Sequence, residues 1–326
     1  DLKGKLRLSG TVQGDLASPR LELSLLSEEG TLYGMHYDSL SARLNYIDGE
    51  VTVEELTLNY LDNLIQGTAS IGLPSGKPFI NALISSDSLD IKTILNMDGG
   101  EVRGIPLNGT LAAKVNITGP LDQPEIFISG RSGNAGLYIN KREIVFDELS
   151  FYLKKVKGAF LLEEFLLKKA EALLSAGGTV SGLELALDYS LQDLPLADLA
   201  GFSFLESLDG RINIEGRVSG SLLDPAVSGR LDIQNLFYQD KSLGFVQGNL
   251  YYYAGDIGLD SISWKNGGQE YRVQGRIKDF LQEPYLDLTV NTRNGRTKDL
   301  FFLDLPPDLE DLFFADYYLS GDGYLG

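Results

Sequence analysis

The sequence predicts an all-β fold, an elongated repeat of antiparallel strands with short helices at the repeat junctions. Three observations predict it. Gly makes up 37 of 326 residues, beside 16 Tyr and 15 Phe, and excess Gly with many aromatic and β-branched residues marks strands joined by many turns. Apolar and polar residues alternate with period two in run after run. One spacing grammar recurs through the chain.

The grammar is clearest at three starts: LKGKLRLSGTVQGDLASP from Leu2, LNGTLAAKVNITGPLDQP from Leu107 and LDGRINIEGRVSGSLLDP from Leu208. Each reads Leu-x-Gly, an alternating run, a second Gly and a Pro. Gly4 to Pro19, Gly109 to Pro124 and Gly210 to Pro225 each span 15 positions, and Gly14, Gly119 and Gly220 keep register. A fourth copy opens at Leu319 as LSGDGYLG. The expected organisation is a β repeat at 1–106, a second at 107–207, a third at 208–318 and the start of a truncated fourth at 319–326. The chain reads as an internal piece of a longer protein.

Within each copy the elements follow in order. The opening strand alternates, as in LRLSGTV. About seven such runs fill each copy, linked by Asp-Gly, Asn-Gly and Gly-Gly turn signals too short for parallel crossovers. A second landmark begins at Gly49 (GEVTVEELTL), Gly158 (GAFLLEEFLL) and Gly255 (GDIGLDSISW). The segment from Ala159 has helical propensity, but its place in the repeat predicts a strand over about 159–168. Glu54–Glu55, Glu163–Glu164 and Asp260–Ser261 break the alternation at one place, which predicts a β-bulge that re-phases the strand. A third landmark is an alternating strand before the next start, at Phe79, Leu183 and Tyr285. Short Leu-rich pieces then predict helical turns at Asp90–Leu95, Leu194–Leu199 and about Thr297–Leu303.

Composition excludes several functions. With 28 Lys+Arg and 46 Asp+Glu the net charge is −18, which opposes nucleic acid and anionic membrane surfaces as partners. There is no Cys and one His, His36, so thiolate chemistry and multi-His metal sites are excluded. No apolar run is long enough for a membrane-spanning helix.

Chemical motifs are sparse, and no catalytic, cofactor-binding or metal-binding residue is assigned. His36 in GMHYD reads as an ordinary strand residue. Gly321, Gly323 and Gly326 match GxGxxG, but they open a repeat and lack the strand–helix context of a dinucleotide site. Gly130, Gly133 and Gly136 read as turn glycines. The pairs Glu28–Glu29 and Glu54–Glu55 suit acid–base work or a hard cation, yet such pairs sit at turns or recur with the repeat and read as solvated edges or bulges. The sequons at Asn108 and Asn116 fall in repeat-start strands.

The distributed feature is an apolar face on successive strands. Ile212, Ile214, Leu231, Ile233, Leu250, Tyr252, Leu259, Val273, Ile277 and Leu288 share one alternation phase and are the candidate groove-lining residues, expected on one common side. The alternatives are a sandwich core, in which two sheets cover each other, and an open apolar groove for a lipid-like ligand. The repeats are continuous without linkers, and each junction carries the same flap-like Leu-rich piece.

The pattern Leu-x-Gly … Gly-x-Val-x-Gly-x-Leu-x-x-Pro at Leu208–Pro225, followed by SGRLDIQNLFYQDKSLGFVQGNLYYYAGDIGLDSISW and YRVQGRI, resembles the TamB (translocation and assembly module) family of the AsmA-like superfamily. These are large envelope proteins of diderm bacteria, related in architecture to bridge-like lipid-transfer proteins. The resemblance covers the whole chain and is best in the third repeat; the second departs in its Lys/Glu/Leu-rich stretch 154–175. It implies a curled sheet, a β-taco, with a hydrophobic groove for phospholipid acyl chains. It also implies a periplasmic location, an inner-membrane anchor upstream, and an outer-membrane β-barrel partner of the TamA type. Its implied task is phospholipid movement between membranes or support of outer-membrane protein assembly, without catalysis or cofactor. The competing readings are a structural or adhesive β-solenoid with a dry core, and an enzyme using paired carboxylates.

A ribbon of about 20 strands at roughly 4.8 Å spacing extends on the order of 95 Å. A compact globule of this length has a radius of gyration near ~20 Å. Small-angle scattering of the monomer is expected to exceed the compact value clearly; a radius of gyration at the compact value rules out the continuous ribbon.

Overall fold

A computed structural model describes residues 2–15, 18–32, 35–72, 77–95, 107–139, 142–199, 208–238, 241–280, 285–295 and 315–324. Of these, 84% lie in strands and 2% in helix, and the fold is an open curled antiparallel sheet rather than a closed barrel. The third junction piece, about Thr297–Leu303, lies outside the described residues.

The first strands are β1 (Leu2–Gln13), β2 (Arg20–Leu32), β3 (Met35–Tyr37), β4 (Ser39–Ile47), β5 (Glu50–Tyr60), β6 (Asn63–Gly72) and β7 (Phe79–Asp90), then helix α1 (Ile91–Leu95). Next come β8 (Leu107–Asn108), β9 (Thr110–Pro120), β10 (Glu125–Ser132), β11 (Gly136–Ile139), β12 (Arg142–Val145), β13 (Glu148–Val156), β14 (Ala159–Lys169), β15 (Ala172–Ser181) and β16 (Glu184–Pro195). A 3-10 turn, Leu196–Leu199, precedes β17 (Leu208–Ser221), β18 (Asp224–Tyr238), β19 (Lys241–Tyr253), β20 (Asp256–Asn266), β21 (Gln269–Lys278), β22 (Tyr285–Gly295) and β23 (Ala315–Tyr324).

Two compact units contain these elements, residues 1–136 with 146–165 and residues 137–145 with 166–326. In the first, antiparallel pairing runs β1–β2–β4–β5–β6–β7–β9–β10–β13. In the second it runs from β15 through β23 in chain order. The segment from Ala159 is strand β14 despite its helical propensity, because ladder pairing and burial of one face outweigh propensity differences of a few tenths of a kcal/mol per residue.

The repeat landmarks fall on equivalent elements. The second landmark is a two-residue turn with both residues at positive φ: Asp48–Gly49 (49°, 86°), Lys157–Gly158 (48°, 89°) and Ala254–Gly255 (51°, 92°). This is the type I′ geometry, whose twist matches that of the flanking strands. Two of the three polar pairs form bulges where the sequence places them. Register slips between Val53 and Leu56 against β6, and between Leu259 and Ile262 against β21. In β14 Glu163 and Glu164 are consecutive exposed residues, as Glu54–Glu55 and Asp260–Ser261 are. One extra residue restores the phase, so Val53 and Leu56 present their side chains to the same face.

The first junction piece is α1, with Asp90 Oδ1 accepting from the Thr93 N–H at 2.8 Å. At the second, the piece expected at Leu194–Leu199 is divided between the end of β16 and the 3-10 turn. In the fourth copy the described part of the opening strand is β23, which begins at Ala315, ahead of Leu319. Leu286 faces Gly323 across the ladder as Ile80 faces Gly119 and Leu185 faces Gly220, so Gly323 holds the second-glycine position.

Three glycines separate the backbone demands. A Cβ at Gly255 meets no atom within 4 Å, so only its φ of +92° resists substitution. Gly275 (φ +144°) lies so close to β22 that a Cβ collides with the Asp287 carbonyl oxygen. Gly268 carries neither constraint. Gly255→Ala is expected to cost about 1–2 kcal/mol, Gly275→Ala more than that, and Gly268→Ala nothing beyond about 0.5 kcal/mol. Urea unfolding midpoints check this order.

Candidate functional site

The registers place all ten candidate groove residues on one face of the second unit's sheet. Directly opposed residues in an antiparallel ladder share a face. Ile212 faces Ile233, and Ile214 faces Leu231. Across β18, Ile233 faces Val246, Gly229 faces Leu250 and Val227 faces Tyr252. Leu250 then faces Leu259. Ile257 faces Ile277, and Ile262 faces Val273. Gly275 faces Leu288. The bulges at Asn235 and at Asp260–Ser261 carry this phase across the sheet rather than break it.

The opposite face is mixed: it carries polar and charged residues together with the exposed rings of Phe237, Phe245, Tyr251 and Tyr253. In β21, Glu270, Arg272, Gln274 and Arg276 are exposed while Tyr271, Val273, Gly275 and Ile277 are buried or half-buried. Gln247 donates to Asp232 Oδ2 at 2.6 Å, and Lys278 lies 3.3 Å from Asp287. The exposed Lys278–Asp287 pair contributes little stability, whereas the Gln247–Asp232 bond is part-buried.

Shelter of the apolar face varies along the strands. At one end Leu196, Ile212, Leu236, Leu243, Trp264 and Tyr271 form a buried cluster. Tyr271 is fully buried and stacks on Trp264 with ring centroids 4.4 Å apart. Trp264 Nε1 donates to the Leu243 carbonyl at 2.6 Å. The cap is Leu196 of the 3-10 turn, so the flap-like junction piece lies over the start of the next repeat. Toward the other end Leu250, Tyr252, Leu259, Val273, Ile277 and Leu288 are half-buried. Of the ten candidates, Ile212 alone is buried, within the capping cluster; Ile214, Leu231 and Ile233 are half-buried and pack against it, and the remaining six form the more open surface.

A row of glycines crosses this surface: Tyr189 faces Gly216, which faces Gly229, which faces Leu250. Tyr189 extends over the bare backbone and its Oη donates to the Ser228 carbonyl at 3.4 Å. Burial raises the pKa of this hydroxyl above the ordinary tyrosine value.

The first unit has an equivalent face that the ten candidates did not include. Leu23, Leu44, Val53, Ala69, Ala82, Ile117 and Ile126 are opposed in one unbroken row across β2, β4, β5, β6, β7, β9 and β10. Leu187 and Leu191 of β16 extend the second unit's face beyond Val218 and Ile214. The signal for them was the repeat itself, since third-repeat positions map onto the earlier copies through Gly14, Gly119 and Gly220.

The sites of conventional chemistry are dispersed. His36 is exposed in β3, and Glu28, Glu29, Glu54 and Glu55 are exposed on strand surfaces. No group of three His, Cys, Asp or Glu side chains converges among the described residues. Among the described residues the inner face of the second unit offers chiefly apolar area.

Trp264→Ala is expected to cost about 3–5 kcal/mol, since it opens the only cluster of large buried side chains described in this unit. Trp264→Phe keeps most of the apolar volume and leaves the Leu243 carbonyl without its donor, for about 1–3 kcal/mol. Thermal melting of the two variants checks the order. No family model, curated protein or solved structure matches this chain.

Proposed function

We propose that this chain is a periplasmic segment of a TamB/AsmA-like envelope protein whose apolar sheet face holds phospholipid acyl chains. In that role it conducts phospholipid between the inner and outer membranes or supports outer-membrane protein assembly. Its further partner is an outer-membrane β-barrel protein of the TamA type, and membrane contact is made by regions outside this segment. It performs no catalysis.

The observation that carries this reading is the half-buried apolar face of β17–β22. Strands β15–β23 are one ladder, and the other sheet among the described residues is the three-stranded β8–β11–β12. Sixteen apolar residues are buried among those described, few for an ordinary sandwich core of this length. An acyl chain gains about 0.8 kcal/mol per CH₂ taken out of water, so a continuous apolar wall retains lipid without head-group contacts. The Trp264–Tyr271 cluster favours a second reading, a dry structural core without ligand, at that end of the face.

Leu250→Asp combined with Val273→Asp distinguishes the two. Both positions are half-buried and away from the capping cluster. An open groove admits water around the new carboxylates, and the backbone ladder persists. In a closed core they are buried without partners and unfold the unit. The purified chain, incubated with phosphatidylethanolamine vesicles and analysed by native mass spectrometry, is expected to carry phospholipid. The double variant is expected to keep its circular dichroism and melting temperature, lose about ten-fold or more of that lipid, and fail to complement in the full-length protein, because a charge on an apolar path costs several kcal/mol. A folded variant with undiminished lipid overturns the groove reading; an unfolded one supports the dry core.

A further inference from the structure

The outer face of the first unit holds a trough of about 390 Å³, at the small end of the range for small-molecule sites. It crosses β7, β9, β10, β13 and β14. Ser86, Ala113, Gly130 and Phe151 form one opposed row beneath it. That row turns inward, where the Phe151 ring and the Leu111 side chain pack against Gly130. The two flanking rows point outward and wall the trough. Lys114, Ser129 and Tyr152 make one wall; Ala112, Arg131 and Ser150 make the other. Tyr152 is held in place by stacking on Phe127, with ring centroids 6.1 Å apart.

The charges in the trough are ordered. Lys114 and Arg131 stand on neighbouring strands as diagonal partners, about 7–8 Å apart. Ser129 lies directly opposite Lys114, and Ser150 directly opposite Arg131. Asp87 of β7 and Glu164 of β14 close the two ends. All four charged residues are exposed. Arg131 reaches Glu148 only at 4.0 Å. Among the described residues Lys114, Asp87 and Glu164 make no ion pair. The trough thus presents two adjacent cations with serine hydroxyls at its centre and a carboxylate at each end.

We propose that this trough binds a phosphate ester that also carries a primary amine, the chemistry of phosphoethanolamine. The Lys114 ammonium and the Arg131 fork take the phosphate oxygens, and the Ser129 and Ser150 hydroxyls donate to them as well. The amine goes to the carboxylate at one end, Glu164 or Asp87. The central cations select the phosphate, and the terminal carboxylates repel a ligand with a second anionic group. The site lies on the opposite side of the sheet from the apolar face, so it does not depend on whether that face holds lipid.

Isothermal titration of the whole chain at low salt, with phosphoethanolamine, inorganic phosphate and ethanolamine in turn, tests this. Phosphoethanolamine is expected to bind about ten-fold or more tightly than inorganic phosphate, and ethanolamine not to bind. Lys114→Ala and Arg131→Ala are each expected to weaken both phosphate ligands about ten-fold or more. Asp87→Asn with Glu164→Gln is expected to abolish the preference for phosphoethanolamine and to leave inorganic phosphate bound. Arg43→Ala, which removes an exposed cation elsewhere on the outer face, is expected to change nothing. Circular dichroism is expected to be unchanged in every variant, because each altered side chain is exposed. No binding of phosphoethanolamine, equal affinity for it and inorganic phosphate in the unaltered chain, or full binding after Lys114→Ala with Arg131→Ala overturns the proposal. Sedimentation with phosphatidylethanolamine vesicles fixes the source of the ligand. Co-sedimentation that Arg131→Ala abolishes assigns a lipid headgroup, and calorimetric binding without co-sedimentation assigns a soluble phosphoamine.

Discussion

Each unit must shelter one apolar face of a single antiparallel ladder, and the rest of its structure answers that constraint. A ladder satisfies its own backbone groups, but it cannot cover its own face while flat. Curl brings apolar side chains toward one another, and glycines at close approaches permit it: Gly216 and Gly275 sit where a Cβ would collide with the backbone oxygens of Ser228 and Asp287. Full burial is reached where an additional piece of chain lies over the face, as Leu196 does over Ile212 and Tyr271.

Maintaining one apolar phase over so many strands is a register problem, because a one-residue slip sends every side chain to the opposite face. The bulges answer it locally. Ser261, at φ 55°, and Asn235, at φ 50°, absorb the extra residue in β20 and β18. Ile262 and Trp264 thus return to the side occupied by Leu259. At the bulge of β16, Asp193 has φ 53° and its N–H bonds Asn213 Oδ1 at 3.0 Å, so the irregular backbone is satisfied from the neighbouring strand.

The same division of faces separates stability from candidate function. Large buried side chains gather at the capped end, where substitution opens a cavity. Leu250, Leu259 and Val273 make up a half-buried surface outside that cluster. The outer face carries exposed pairs such as Arg43 with Glu55 at 3.8 Å.

Alternation, the glycine spacing and the paired polar residues determined the strand class, the antiparallel neighbours, the bulges at Glu54–Glu55 and Asp260–Ser261, and the shared face of residues such as Ile214, Leu231 and Leu250. All of these depend on local periodicity, and a periodic signal is present in the chain itself. The β14 strand was legible because its counterparts in the other copies set its register against its propensity. Tertiary structure alone decided which members of that face are covered. Ile212 and Leu250 have the same alternation phase, yet one lies under Leu196 and the other does not. It also decided that the fourth copy is in phase at Gly323, through the pairing of Leu286. Cover depends on which distant segment lies over a residue, and no period along the chain encodes that distance.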